Sequence, residues 1–279
     1  MTIAINPLTG GCGAQIDGVS LAQLSNSEFD SICSALGAHG ALFMHNQQLN
    51  FDELIELGQR FGPLEKHQIV DGMEDYPEII KVLKPAGERA AFGTAWHSDN
   101  TFQEKPSMGS ILYSQIIPPY GGDTLFANQV LAYETLSDKM KSIIADLQAV
   151  HSAGPAYTMK GTQDRYDKKA AITYTWHDSI NDEVVHPVVR THPVTGRKAL
   201  FVNDMFTQRF KGMSRDESAP LLNYLRRHAT RPEFCCRFRW QENTVAIWDN
   251  RIVQHYAVND YQDYERLLYR VTIEGEKPV

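Results

Sequence analysis

The sequence predicts a mixed α/β fold with a strand-rich core and helices packed around it. Three observations carry this. Apolar residues recur at helical spacing early in the chain, strict apolar/polar alternation appears towards its end, and glycine and proline punctuate the whole length instead of gathering in linkers. No internal repeat or low-complexity tract divides the 279 residues, so one domain is expected over residues 1–279.

The elements follow in order. Ser25 and Glu28 have capping-box spacing, Phe29, Ile32, Cys33 and Leu36 then form an apolar stripe, and Gly40 is a stop signal. Residues 41–44 read as a short apolar strand, and residues 50–61 as a second helix with Leu54, Leu57 and Phe61 on one face. Residues 133–150 read as a third helix, with Leu136, Met140, Ile143, Ile144 and Leu147 inward. Ser214 and Glu217 repeat the capping box and open a helix to about His228. Strands are expected at residues 111–116, closed by Pro118, Pro119 and the Gly121-Gly122 turn, and at residues 244–248 and 267–273. Another is expected where Phe234, Cys236, Phe238 and Trp240 alternate with Cys235, Arg237 and Arg239.

Composition narrows the function classes. With 42% hydrophobic and 22% charged residues the chain is able to bury a substantial core. A net charge of −7 offers no basic face for nucleic acid. No apolar run reaches the length of a membrane span, and the first residues lack the basic and apolar regions of a signal peptide, so a cytoplasmic location without membrane contact is expected. The four cysteines, Cys12, Cys33, Cys235 and Cys236, have neither C-x-x-C nor zinc-ribbon spacing and read as buried or half-buried thiols, with Cys235 and Cys236 on opposite faces of a strand.

Chemistry concentrates in three places. In a strand, His97 and Asp99 of Trp96-His97-Ser98-Asp99 would share a face and aim an imidazole and a carboxylate at one point. A further histidine would complete a two-histidine, one-carboxylate triad with open positions, suited to non-haem iron(II). In a chain with ten histidines the triplet alone is weak, and a hydrogen-bonded structural histidine beside a capping aspartate is the bland alternative. His255, after Trp248-Asp249-Asn250-Arg251, is a candidate third ligand, and beyond it Arg266, Leu268 and Arg270 share a strand face. Two arginines facing inward need anions, whereas two facing outward would pair with Asp263 or Glu265 on the surface. Gly121-Gly122-Asp123-Thr124 is either a plain turn or a turn that offers the Thr124 hydroxyl to an anion.

Taken together, Phe61-Gly62-Pro63-Leu64, Trp96-His97-Ser98-Asp99-Asn100-Thr101-Phe102, Gly121-Gly122-Asp123-Thr124, residues 186–193, Leu200-Phe201-Val202-Asn203, Trp248-Asp249-Asn250-Arg251, His255, Arg266 and Arg270 resemble the taurine dioxygenase family in order and spacing over nearly the whole chain. The resemblance implies a double-stranded β-helix (jelly-roll) core with surrounding helices. It implies an iron(II) centre at His97, Asp99 and His255, with 2-oxoglutarate and O2 as cosubstrates. Arg266 and Thr124 would hold the distal carboxylate of 2-oxoglutarate, and His67, Phe102, Phe206 and Arg270 would line the primary substrate. His186 and His192, each before proline, read as structural turn residues. Family members often associate as dimers or tetramers, which is carried here as an expectation.

The implied reaction hydroxylates a small organic substrate while 2-oxoglutarate becomes succinate and CO2, and hydroxylation beside a heteroatom often leads to fragmentation. Arg270 calls for a carboxylate, sulfonate or sulfate. Two positions depart from the taurine enzyme: Val70 stands for a tyrosine and Gly93 for an asparagine. Both remove polar contacts and predict a larger, more apolar anion than taurine. Residues 76–80 and 93–97 are closer to the aryloxyalkanoate branch. The polar stretch 84–94 is either a loop over the site or a plain connection. Two other readings compete: a metal-dependent hydrolase or lyase, and a non-catalytic small-molecule binding protein on the same fold.

Overall fold

The computed structural model describes residues 3–67, 69–89, 91–157 and 181–279. Along the chain the strands are β1 (Ala4–Pro7), β2 (Ala14–Asp17), β3 (Ala41–Met44), β4 (Ile79–Lys84), β5 (Gly109–Ile116), β6 (Thr124–Asn128), β7 (Gln148–His151) and β8 (Val184–Pro187). They continue with β9 (Val189–Thr191), β10 (Lys198–Leu200), β11 (Thr207–Phe210), β12 (Cys235–Phe238), β13 (Val245–Asp249), β14 (Val253–Ala257) and β15 (Arg266–Ile273). The helices are α1 (Asn26–His39), α2 (Phe51–Phe61), α3 (Gln129–Glu134), α4 (Asp138–Ile144), α5 (Gly154–Tyr157) and α6 (Arg215–Ala229).

Capping chemistry sets the longer helices. In α1 and α6 the side chains of Ser25 and Ser214 accept from the backbones of Glu28 and Glu217, whose carboxylates reach back to the cap. Asn50 and Glu53 build a third such box at the start of α2. The stripe of α1 is narrower than its sequence suggests: Ile32, Ala35 and Leu36 are buried, but Cys33 is exposed.

Two sheets face each other. One has seven strands in the order β1-β2-β3-β13-β5-β15-β4, antiparallel except for β2 with β3, and the other has three in the order β12-β6-β14. Between them lie Phe43, Trp248 and Leu268 from the large sheet and Phe126, Phe238 and Val253 from the small one. Phe43 is fully buried, stacked on Phe238 at 3.9 Å and edge-on to Phe126 at 5.4 Å. The other face of the large sheet is covered by α1 and α2 through Ile32, Leu36, Leu54 and Leu57. With both faces covered, β3 and β13 are buried at every residue, which is why they read as continuous apolar runs. A third core joins α3, α4 and α6 to the sheet β11-β7-β8.

The single helix expected over residues 133–150 does not form. Thr135 Oγ1 donates back to the Leu131 carbonyl at 2.8 Å, α3 ends, and Ser137 restarts the chain as the cap of α4. Ile143, expected inward, is 47% exposed. Residues 148–151 become β7, paired on both sides by β8 and β11. Local hydroxyl bonds and strand pairing therefore override a helical apolar period. Cys235 and Cys236 do point to opposite faces, the first half-buried and the second buried. No described helix is long and apolar enough to cross a membrane.

Replacing Phe43 by alanine removes the ring that joins the two sheets. It should lower the unfolding free energy by about 3–5 kcal/mol, read as a fall in denaturant midpoint at unchanged m-value.

Candidate active site

Residues 97–99 are not a regular strand. His97 makes one isolated antiparallel bridge to His255: its N–H donates to the His255 carbonyl at 3.1 Å, and its carbonyl accepts from the His255 N–H at 2.7 Å. The chain then turns at Asp99-Asn100, with Asn100 at φ 54. Ser98 Oγ donates to the Val253 carbonyl at 2.7 Å, and the Asp99 N–H to Asn250 Oδ1 at 3.2 Å. These bonds stitch residues 97–99 onto the 250–255 segment and bring the three side chains together, in place of the expected period-2 alternation. The ligand atoms of His97, Asp99 and His255 lie within 4.8 Å of one another, and all three residues are buried.

The geometry inside this cluster is specific. His97 Nδ1–H donates to the Ala95 carbonyl at 2.7 Å, so the proton sits there and Nε2 presents a bare lone pair. His97 Nε2 and His255 Nε2 stand 3.7 and 3.6 Å from the same oxygen, Asp99 Oδ1. That is too long for hydrogen bonds, but within the roughly 4.2 Å that one ion with bonds of about 2.1 Å bridges. Burial disfavours charge on both imidazoles and keeps them neutral, as metal ligands must be. Burial would push the Asp99 carboxyl up, but Arg270 first, then the two histidines, hold it well below the usual carboxylate range. The donor set, two neutral imidazoles and one carboxylate, fits a divalent first-row metal with open positions.

Arg266 lines the same cavity, nearly buried, with His97, His255, Thr124 and Arg270. It forms no ion pair with a carboxylate among the described residues. Its guanidinium lies 5.5 Å from the Trp240 ring and 5.8 Å from the Tyr261 ring, and its Nε is buried without a partner among the described residues. A buried guanidinium so placed is costly until an anion enters. Trp240 Nε1–H donates to Thr124 Oγ1 at 2.9 Å, which leaves the Thr124 hydroxyl proton to be given elsewhere. Leu268 is buried between the two arginines, so the inward strand face expected from alternation is present.

The remaining expected residues divide. Phe102 and Phe206 touch, with ring centroids 5.1 Å apart, and Phe206 stands edge-on to His97 at 6.3 Å. Ile69, Ala153 and Tyr157 extend this apolar wall. His67 Nδ1 accepts from the Ile69 and Val70 N–H groups at 3.1 and 3.0 Å, so Nε2 carries the proton. Burial, reinforced by Arg270, lowers its pKa to about 4, and it stays a neutral donor near neutral pH. Arg270 is engaged with Asp99 Oδ2 at 2.8 Å, closer to the metal cluster than a purely substrate-binding role requires. Gly93, at φ 75, passes over His97 so closely that an added Cβ would lie 3.1 Å from Cε1. His186 and His192 make structural contacts: His186 lies in β8 instead of a turn and donates to the Gln103 carbonyl, and His192 opens a turn and bonds Asp249. Trp240, Tyr261 and Ser110 shape the site although none belongs to the motifs read from the sequence, whereas Asn250 lies within one of them. Trp240 carried only an inward-facing signal, and a serine within a strand carries none.

The family model described as "Taurine catabolism dioxygenase TauD, TfdA family" matches residues 4–272. The chain belongs to the TauD, TfdA dioxygenase family. An alkylsulfatase of Acinetobacter baylyi is 38% identical over 98% of this chain and 86% of its own. An alpha-ketoglutarate-dependent sulfate ester dioxygenase of Pseudomonas putida is 35% identical over 100% and 92%. A crystal structure of a taurine dioxygenase from Burkholderia xenovorans superposes with a TM-score of 0.84 at 34% identity, covering 100% of this chain and 93% of the other. As a TauD, TfdA member the protein is a 2-oxoglutarate (alpha-ketoglutarate)-dependent dioxygenase, an oxidoreductase acting on a small molecule, and the hydrolase and binding-protein readings fall away.

Behind the dioxygenase site a second charged cluster braces β13. Asp249 accepts from Arg251 at 2.8 and 2.7 Å and bonds His192 at 3.0 Å, while Arg190 holds Glu276 at 2.7 Å. Burial would raise the Asp249 carboxyl, but hydrogen bonds from Arg251 and His192 hold it well below its ordinary value of 3.8. A depressed folded-state pKa gives stability that is present above the unfolded value and lost as pH falls towards the folded one. The melting temperature should therefore drop from about pH 5 to pH 2 more steeply in the native protein than in Asp249→Asn, whose starting stability is lower.

Proposed function

We propose that residues 1–279 act as one Fe(II)-dependent domain that hydroxylates the sulfate-bearing carbon of an alkyl sulfate ester. The observation that carries the metal reading is the convergence of His97 Nε2 and His255 Nε2 on Asp99 Oδ1, the two histidines sharing a cavity with a buried arginine that has no acidic partner among the described residues. The facing seven- and three-stranded sheets support a double-stranded β-helix core around it. Bound there, Fe(II) supplies the open positions at which the 2-oxo acid and O2 react. Arg266 and the Thr124 hydroxyl hold the distal carboxylate of 2-oxoglutarate and fix its orientation. His67 Nε2–H and Arg270 bind the substrate's anionic head, and Phe102 and Phe206 form the apolar wall that keeps water from the reacting carbon.

The two sulfate-ester relatives named above support the choice of head group. Space allows a tail: a cavity of about 230 Å³, lined by Phe92, Pro155, Ala156 and Met205 with Thr94 and Asp204 among them, shares Phe92 and Gly93 with the metal cavity. Val70 and Gly93 add no polar group where the taurine enzyme has two. Hydroxylation of R–CH2–OSO3⁻ at carbon gives R–CH(OH)–OSO3⁻, which collapses to an aldehyde, sulfate and a proton, while 2-oxoglutarate and O2 yield succinate and CO2. A cytoplasmic location accords with the four free cysteines.

Anaerobic addition of Fe(II) and 2-oxoglutarate should give a weak visible charge-transfer band, absent in His97→Ala and much weaker in Arg266→Gln at equal 2-oxoglutarate. Under O2, octyl sulfate should release sulfate and succinate one to one, with kcat/KM at least about tenfold above taurine. Efficient taurine turnover without sulfate-ester turnover would overturn the substrate assignment, and absence of the band would overturn the metal assignment.

A further inference from the structure

Asp99 uses its two oxygens for different work. Oδ1 faces the two imidazoles, whereas Oδ2 points away and accepts from Ser110 Oγ at 3.0 Å and from Arg270 Nη2 at 2.8 Å. Arg270 Nη2 also donates to Ser110 Oγ at 2.9 Å, closing a triangle of buried groups. The donors and acceptors balance. The serine hydroxyl has one proton, given to the carboxylate, and a lone pair that receives the guanidinium. Ser110 is fully buried in β5, beside β13 and β15, so its hydroxyl is fixed by the sheet and does not rotate into solvent.

From this triangle we infer that Ser110 and Arg270 are positioning residues for the metal carboxylate: they occupy Oδ2, leave Oδ1 alone to bind the ion, and set its direction before any substrate arrives. The inference rests on the metal centre proposed above. It gives Arg270 two tasks. One N–H is spent on Asp99, and Nε, buried without a protein partner in the same cavity, remains for an anion. A substrate anion that draws on this guanidinium is thereby coupled to the carboxylate that holds the metal, and coupling of that kind is reciprocal.

The test is metal binding without substrate. Mn(II) affinity of the purified full-length chain, measured by electron paramagnetic resonance, should fall about tenfold in Ser110→Ala, the loss typical of removing a partner of a metal ligand. Ser110→Cys, which keeps nearly the same volume but is a poor donor, should fall with it, and Ser110→Thr, which keeps the hydroxyl, should restore binding to within about threefold. The charge-transfer band of the Fe(II)–2-oxoglutarate complex should shift in Ser110→Ala, because Oδ2 then keeps Arg270 as its one donor and the carboxylate is aimed differently. Mn(II) affinity in Ser110→Ala and Ser110→Cys within about twofold of the native protein would overturn the inference, and so would an equal loss in Ser110→Thr, which would assign the effect to packing. Failure of the native protein itself to bind Mn(II) would instead overturn the metal centre.

Discussion

The site depends on one reciprocal pair of backbone hydrogen bonds, between His97 and His255. Residues joined in this way have side chains on a common face, which is the requirement for two imidazoles to meet at one ion. The bridge joins His97, which lies outside the sheets, to His255 in β14, and single bonds support it on either side: Ala257 N–H to the Gly93 carbonyl on one, Ser98 to Val253 and Asp99 to Asn250 on the other. Burial then keeps both imidazoles neutral. The Ala95 carbonyl settles the tautomer of His97, and its Nε2 faces the centre.

Around that pair the protein buries more charge than its core would tolerate without function. Asp99, Arg266 and Arg270 are all buried, and among the described residues only Asp99 and Arg270 form an ion pair. Asp99 takes Arg270, and Arg266 is left between two aromatic rings. An uncompensated buried guanidinium is destabilising by several kcal/mol in typical proteins, which is the ground for the anion proposed for this cavity. The Asp249 cluster differs: there the buried acid is paired with Arg251 and hydrogen-bonded to His192.

Much of this was legible in the sequence where a single local rule governs. The boxes at Ser25 and Ser214 gave their helix starts, and alternation at Arg266, Leu268 and Arg270 gave the inward face of β15. The helix expected over residues 133–150 was misread because Thr135 and Ser137, ordinary residues in an apolar period, bond to the backbone and break it. The meeting of His97 with Asp99 was expected for a reason that does not hold, since a turn at Asn100 replaces the strand. Ser110 and Trp240 were beyond reach. Their importance comes from what lies across the sheet from them, and pairing over more than a hundred residues leaves no mark in a single chain's spacing.

The same long-range pairing bears on how the molecule assembles. β15, which brings both arginines, is not at the margin of its sheet but lies between β5 and β4. During synthesis those two strands emerge early and have no neighbour on the facing side until residue 266 appears. From the end of β5 at Ile116 the ribosome must add 150 residues (266 − 116), which takes roughly 8–30 s at ordinary elongation rates. For that interval two open strand edges are exposed, the condition under which nascent chains pair wrongly with one another. The strand that carries both arginines is thus also the strand that closes the sheet, and a nascent chain waiting for it shows pairing edges that the finished sheet hides.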